Sequence, residues 1–203
     1  LGKGIRRNNG HSIYKKDLTI EEIEALKNEP GAIGNKFIEY FVAGEQHVML
    51  FKKDEGVMMS THPSETITNQ DFINQAFGDV IIFGLGLGMI IFPLLMDDDI
   101  KSITVVEHDP GVIDMVGKII AEHDYQNKVR IVQGDAFTYH ESFTDEKFDT
   151  IYFDIWRQIN INSINEMELL HDLYRKFKRS NTSYMNSWCY EFKNEYVETK
   201  NIL

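Results

Sequence analysis

The segment DVIIFGLGLGMIIF, residues 79–92, joins an apolar run to three glycines at alternate positions, Gly84, Gly86 and Gly88. The residues before the glycines suit a buried strand. Glycine weakens regular structure, so three of them at this point indicate a need for bare backbone, either for a tight turn or for the close approach of a ligand. An ordinary strand-to-helix turn is the alternative interpretation.

Strand patterns alternate with helix patterns after residue 78. Asp109 and Pro110 are suited to begin a helix, and the apolar residues that follow recur at helical spacing. This alternation predicts the α/β class: a Rossmann-like, doubly wound and mostly parallel sheet covered on both faces. The predicted elements are strands at 79–84, 102–109, 128–135 and 148–156, a helix at about 164–177, and a further strand within 183–192.

The chain before residue 78 lacks this alternation. Thr19 and Glu22 have the spacing of a capping box, which predicts a short helix. HVMLF (47–51) and VMMST (57–61) flank a turn at Gly56 and predict a β-hairpin. We therefore expect a loose N-terminal tail (1–17), an extension with a helix and a β-hairpin (18–77), and a Rossmann-like domain (78–203). Little chain follows Trp156, so a shortened C-terminal part is expected.

The amino-acid composition of the chain limits the classes of partner that it is expected to bind. The formal net charge of −11 disfavours nucleic acid. A single cysteine, Cys189, excludes an intrachain disulfide and, with no signal-peptide pattern at the start, favours a cytoplasmic location. The histidines lack a paired metal spacing, so no metal site is predicted. The longest apolar run is too short and too interrupted to span a membrane, so no membrane partner is expected.

Acidic residues follow three of the predicted strands: Glu107, Asp135 and Asp154. Ligands of open parallel sheets bind beyond the carboxyl ends of the strands, where these side chains would meet the glycines. An acid after the second strand can accept both hydroxyls of a ribose, and an acid after the third can accept a hydrogen bond from an adenine amino group. The pattern predicts an adenosine-containing ligand. The alternatives are a favourable charge at a helix start for Glu107, a turn cap for Asp135 and a structural carboxylate for Asp154.

The glycine spacing argues against a dinucleotide. The dinucleotide fingerprint is G-x-G-x-x-G, and Met89 occupies the position of its last glycine. No lysine or arginine lies close enough in sequence to indicate a phosphate site. A nucleoside without phosphate is therefore favoured, and a nicotinamide enzyme is the weakest alternative.

The run DVIIFGLGLG…VVEHDP…VQGDAF…FDTIYFDIW resembles the class I S-adenosylmethionine-dependent methyltransferase superfamily. Within it the chain is most similar to the spermidine synthase-like branch, which carries a β-rich segment before the first Rossmann strand. The resemblance covers about residues 45–157 and makes S-adenosylmethionine the expected cofactor of the domain 78–203. It implies that Gly84, Leu85, Gly86 and Gly88 line the methionine and ribose, that Glu107 holds the ribose hydroxyls, and that His108, Asp135 and Ala136 surround the adenine.

The same resemblance implies an acceptor site. Asp154 would face the sulfonium and the acceptor and act as the catalytic residue. Ser60 and Glu65, which follow the hairpin, would overhang the site. Tyr152 and Trp156 would wall the acceptor pocket, although aromatic residues are also common in cores.

Two departures from spermidine synthases affect the expected activity. Those enzymes carry an acid within the glycine loop, where this chain has Leu85 and Leu87. They also carry an acidic pair near the fourth strand end, where Asp154 is followed by Ile155 and Trp156. We expect a methyltransferase that acts on a small-molecule acceptor such as an amine. The alternatives are an aminopropyltransferase and a non-catalytic S-adenosylmethionine-binding module, in which an open sheet edge would allow a homodimer.

Overall fold

The computed structural model describes residues 4–8, 10–27 and 44–194. The N-terminal part forms a four-stranded antiparallel sheet in the order β1-β2-β3-β4. Its strands are β1 (Gly4–Asn8), β2 (His11–Asp17), β3 (Gln46–Lys52) and β4 (Gly56–Ser60). The predicted hairpin is present as β3 and β4, and it is the second half of a larger sheet.

The structure corrects the prediction that residues 1–17 form a loose tail. β2 pairs with β3 along its whole length, from His11 opposite Lys52 to Asp17 opposite Gln46. The sequence HSIYKKD alternates poorly, and Ile13 is a buried apolar residue within it. The strand therefore depends on pairing with β3 more than on its own apolar pattern, which is why the sequence did not indicate it.

Among the described residues, three short helices precede the larger sheet. They are α1 (Ile20–Lys27), α2 (Pro63–Thr68) and α3 (Gln70–Gln75). The predicted capping box begins α1: the Thr19 hydroxyl accepts from the Glu22 N–H at 3.2 Å, and the Glu22 carboxylate accepts from the Thr19 N–H at 3.0 Å.

The rest of the described chain forms a five-stranded sheet in the order β7-β6-β5-β8-β9, with every neighbouring pair parallel. This confirms the predicted Rossmann-like α/β class. The strands are β5 (Gly78–Phe83), β6 (Ile100–Glu107), β7 (Val129–Gln133), β8 (Thr150–Phe153) and β9 (Tyr184–Ser187); the helices are α4 (Ile91–Leu95), α5 (Pro110–His123) and α6 (Ile161–Tyr174). The predicted boundary between residues 77 and 78 falls at the first residue of β5, and the division into domains stays a prediction.

Helices cover both faces of the sheet because its central strand is apolar on both sides. Ile82 of β5 packs into a cluster that includes Val116 of α5, whereas Phe83 packs into a second cluster with Tyr174 of α6. Successive strand residues point to opposite faces, so a strand buried on both must be apolar throughout. Each large side chain buried in this way contributes about 1.5–3 kcal/mol.

The chain order reverses at the centre of the sheet. The chain runs outward from β5 through β6 to β7 and then returns to β8, on the other side of β5. A crevice forms at such a switch point beyond the carboxyl ends of the strands. In the described residues no helix has the length and apolar character needed to cross a membrane.

Candidate functional site

A cavity of about 400 Å³ lies at the carboxyl ends of the parallel strands. The N-terminal sheet closes one side of it with Leu50, Met58 and Met59, and the larger sheet supplies the other sides. The cavity lies where the sequence predicted a ligand site. The predicted site residues that line it are Gly84, Gly86, Glu107, His108, Asp135, Ala136, Asp154, Trp156 and Glu65.

Gly84 and Gly86 are required by contacts within the protein. Both have positive φ angles, 99° and 50°. A Cβ atom on Gly84 would lie 2.1 Å from the carbonyl oxygen of Asp154, and a Cβ atom on Gly86 would lie 2.1 Å from Sδ of Met59. Bare backbone therefore lets the loop approach both β8 and the hairpin. Gly88 lies elsewhere: it is buried, and its neighbours are Ile120 and Phe92.

The glycine loop is not a nest of free amides. Four of its N–H groups donate within the protein: Gly84 to Val106 O at 2.9 Å, Leu85 to Glu107 Oε2 at 2.8 Å, Leu87 to Met59 Sδ at 3.1 Å and Gly88 to Leu85 O at 2.8 Å. Pyrophosphate sites use such N–H groups as donors to the ligand. The loop therefore suits a ligand without phosphate, as its glycine spacing predicted.

Glu107 joins the glycine loop to the start of α5. One carboxylate oxygen accepts from the Leu85 N–H at 2.8 Å and the other from the Asp109 N–H at 2.7 Å. Burial raises the pKa of Glu107 above its ordinary value, although backbone hydrogen bonds from Asp109, Leu85 and His108 act against this. A carboxylate has about four lone-pair sites, so it retains acceptor capacity for a hydroxyl group. Leu85 is buried and contributes its backbone to this arrangement.

The segment after β7 forms an adjacent wall. Asp135 accepts the Phe137 N–H at 2.8 Å and also lines the cavity, so it both caps the turn and faces the site. Ala136 is buried, and its carbonyl accepts a hydrogen bond from the Tyr174 hydroxyl at 2.8 Å. These contacts fix an apolar patch beside a carboxylate that retains acceptor capacity.

Asp154 and Glu65 form a pair of carboxyl groups in the same cavity. Burial raises the pKa of Asp154 to about 7. Burial and the negative charge of Asp154 raise the pKa of Glu65 to about 8, while a hydrogen bond from the Ser60 N–H acts in the opposite direction. Two carboxylates that repel each other retain a proton near neutral pH. Ser60 is buried and therefore contacts Glu65 rather than an acceptor.

The two predicted aromatic residues have different positions. Tyr152 is only 2% exposed, its ring stacks on Phe72 at 3.8 Å, and its hydroxyl donates to Asn69 Oδ1 at 2.9 Å. It belongs to the core, as the alternative interpretation held. Trp156 lines the cavity, and its indole N–H donates to Glu166 at 2.8 Å.

The sequence did not indicate a charged network at the rim of the cavity. Lys52 lies 2.5 Å from Glu55 and 3.0 Å from Asp109. Asp109 also contacts His11 of β2 at 3.0 Å, and Arg157 pairs with Glu55. Burial acts to raise the pKa of Asp109, but hydrogen bonds from Lys52, the Gly111 N–H and His11 hold it below its ordinary value. The network ties the N-terminal sheet to the start of α5.

Other lining residues were also missed by the sequence analysis. Met58 and Met59 come from the predicted hairpin, but neither residue type signals a site. Trp188 directly follows β9 and also lines the cavity. Its place after a strand is the same signal that identified Glu107 and Asp154, so it could have been found.

The lining is acidic. Its cations Lys52 and Arg157 are each paired with carboxylates. Its carboxyl groups outnumber them and belong to Glu55, Glu65, Glu107, Asp109, Asp135 and Asp154. Burial raises the pKa of Glu65, Glu107 and Asp154, so the negative charge of the cavity grows as these groups ionise, and in that form it attracts a cation and repels phosphate. Across the described ranges no group of three or more His, Cys, Asp or Glu residues could hold a metal ion.

The parallel sheet and the cavity at its carboxyl ends define a Rossmann-like α/β protein. A family model described as the spermine/spermidine synthase domain matches residues 56–200, more than half of the chain. The chain therefore belongs to this family, which confirms the branch indicated by the sequence. A sequence search found no curated protein that matches the chain.

The chain is similar to several solved structures. A Staphylococcus aureus protein described as a caffeoyl-CoA O-methyltransferase is 16% identical, with a TM-score of 0.52 over 91% of this chain and 77% of that chain. The glycopeptide N-methyltransferase MtfA with S-adenosylmethionine is 23% identical (TM-score 0.42, 57% and 51% covered). A spermidine synthase from Thermotoga maritima is 17% identical (TM-score 0.45, 66% and 50% covered). The chain spans about half the length of the last two.

Proposed function

We propose that this protein is an S-adenosylmethionine-dependent methyltransferase that acts on a small-molecule amine. The observation that carries the proposal is Glu107, which braces the glycine loop through Leu85 and keeps acceptor capacity inside an acidic cavity. A cationic nucleoside without phosphate matches that combination. A nucleotide does not, because four amides of the loop are engaged within the protein and the lining is rich in carboxyl groups.

The residues present fit this cofactor. Glu107 would accept the ribose hydroxyls, Asp135 would accept the adenine amino group, and Ala136 and His108 would lie against the ring. Gly84 and Gly86 would lie beside the methionine portion. When bound, the cofactor supplies a methyl group on a sulfonium, which is activated for in-line displacement.

Asp154 and Glu65 would act on the acceptor. Asp154 would accept one N–H proton of the neutral amine as its nitrogen takes up the methyl group, and the cofactor would leave as a neutral thioether. Holding two reactants in line accounts for much of the acceleration in such a transfer. A base with a pKa near neutrality, as burial gives Asp154, is suited to this role.

One variant tests the role of Asp154. We expect Asp154→Asn to bind S-adenosylhomocysteine with unchanged affinity and to lose at least about 100-fold in turnover, since general base catalysis contributes about that much or more. Calorimetric titration and an assay of S-adenosylhomocysteine release measure the two quantities. Unchanged turnover in a variant that still binds the nucleoside would contradict the assignment.

Aminopropyl transfer is the second candidate function. The family match favours it, and Glu65 supplies the second carboxyl group that the sequence after β8 lacks. An assay with decarboxylated S-adenosylmethionine and putrescine distinguishes the two, because spermidine forms only in the aminopropyl reaction. Tight binding of S-adenosylmethionine without turnover of any amine would instead favour a non-catalytic binding module. Tighter binding of NAD than of S-adenosylmethionine would refute both transferase proposals.

A further inference from the structure

A second cavity, of about 390 Å³, adjoins the first. It lies between the helices α2 and α3 and the start of α4, and its walls include Ile73, Met89, Ile90 and Phe92. A volume of this size is in the range of small-molecule sites. Most of its surface is apolar, in contrast to the acidic cavity beside it.

Glu65 is the residue that connects the two cavities, because it lines both of them. Its helix is held firmly at this point. Asn69, which is 1% exposed, donates through Nδ2 to the Glu65 carbonyl at 3.0 Å and accepts the Tyr152 hydroxyl at 2.9 Å. The junction is therefore anchored to β8, the strand that ends beside Asp154.

We propose that the second cavity holds the apolar body of the acceptor and that its single amine lies at Glu65, facing Asp154. This inference rests on the proposed function and names the substrate class: a monoamine with an apolar alkyl or aryl body. Glu65 is the one ionisable side chain in the described lining of the second cavity. A diamine would therefore bury its second ammonium group without a partner, which proteins avoid.

Matched probes test this class directly. Hexylamine carries one ammonium group and an apolar chain, and hexamethylenediamine differs only by a second amine at the far end. We expect calorimetric titration of the full chain, with and without S-adenosylhomocysteine, to show hexylamine binding at least about 100-fold more tightly. This ratio reflects the several kcal/mol needed to bury an unpaired ammonium group.

Amino-acid substitutions show in which cavity hexylamine binds. Ile73→Trp fills the second cavity and should abolish hexylamine binding while S-adenosylhomocysteine still binds. The control Gln75→Trp adds the same side chain to the exposed end of the same helix and should leave hexylamine affinity unchanged. At about pH 9, above the pKa of about 8 of Glu65, Glu65→Gln should weaken hexylamine by about tenfold or more and leave hexanol binding unchanged, because only the ammonium group needs the carboxylate.

The inference is overturned if the diamine binds as tightly as hexylamine, if Ile73→Trp binds hexylamine normally, or if hexylamine does not bind at all. Because Ile73→Trp could disturb folding, its thermal midpoint is measured, and Glu65→Gln gives an independent test. Failure of the proposed function has a different signature. In that case S-adenosylhomocysteine does not bind, while hexylamine binding in its absence still reports on the second cavity.

Discussion

Replacing Glu107 by glutamine separates its structural contacts from its proposed contacts with ribose. Both carboxylate oxygens accept backbone hydrogen bonds, from Leu85 at 2.8 Å and from Asp109 at 2.7 Å. Glutamine has one oxygen and one NH₂ group, so it can accept only one of these N–H groups and must direct a donor at the other. The substitution is isosteric, and its effect therefore comes from hydrogen bonding.

The expected loss of stability follows from the number of hydrogen bonds that glutamine cannot make. Leaving one buried N–H donor unsatisfied costs about 1–3 kcal/mol. For a domain of about 150–250 residues each kcal/mol lowers the thermal midpoint by about 2–4 °C, so we expect a fall of about 2–12 °C. Because a hydrogen bond to a charged group is worth about 1.5–3 kcal/mol, losing one to ribose should weaken S-adenosylhomocysteine by about tenfold or more.

Thermal unfolding near pH 8 and calorimetric titration measure the two effects. Asp135→Asn is the matched control, because one of its carboxylate oxygens accepts the Phe137 N–H, and the asparagine oxygen can keep that bond. It should unfold within about 1 °C of the parent protein while nucleoside binding weakens. If Glu107→Gln unfolds at the parent temperature and binds S-adenosylhomocysteine normally, the carboxylate neither braces the loop nor holds the ribose.

Two further predictions concern stability. Asp154 and Glu65 have ordinary pKa values of 3.8 and 4.5, which folding raises to about 7 and about 8, so the folded state favours their protonated forms. The free energy of unfolding should therefore fall as pH rises from about 4 to about 8. Urea unfolding of the double variant Asp154→Asn/Glu65→Gln should show a smaller change with pH. An equal change in the parent and the variant would contradict the pKa shifts. Gly84→Ala should lose about 2–5 kcal/mol, because its Cβ meets backbone at a positive φ. Gly86→Ala should lose less stability, because its Cβ meets the flexible side chain of Met59, and adding Met59→Ala should recover part of that loss. Urea unfolding measures these losses, and equal losses at the two glycines would count against this account.

The sequence predicted the larger sheet well because its signals are local. The central strands β5 and β8 contain continuous apolar runs, and residues at or just after the ends of β5, β6, β7 and β8 line the cavity. The N-terminal strands depend on long-range pairing: β2 is stabilised by β3 across the chain, so its own residues gave no alternating pattern.

The sequence predicted the site incompletely for a related reason. Tyr152 and Asp154 are two residues apart, yet one is in the core and the other lines the cavity, since the strand ends between them. The pairing of Asp154 with Glu65 depends on how α2 packs against the sheet, which neither segment encodes alone. The contact between Met59 of β4 and the glycine loop depends on the same packing.

The walls of the cavity come from two structural units, and the sequence of one can change much more freely than that of the other. Met58, Met59 and Glu65 belong to the antiparallel sheet and the helix after it, whereas Glu107 ends one strand of the larger sheet and Asp135 follows another. Exchanging residues 58–65 between homologues would alter one wall and leave every parallel strand intact. For the proposed methyltransferase, acceptor choice would therefore diverge rapidly in evolution while nucleoside binding is preserved, and directed evolution of new substrates would be best confined to that short region.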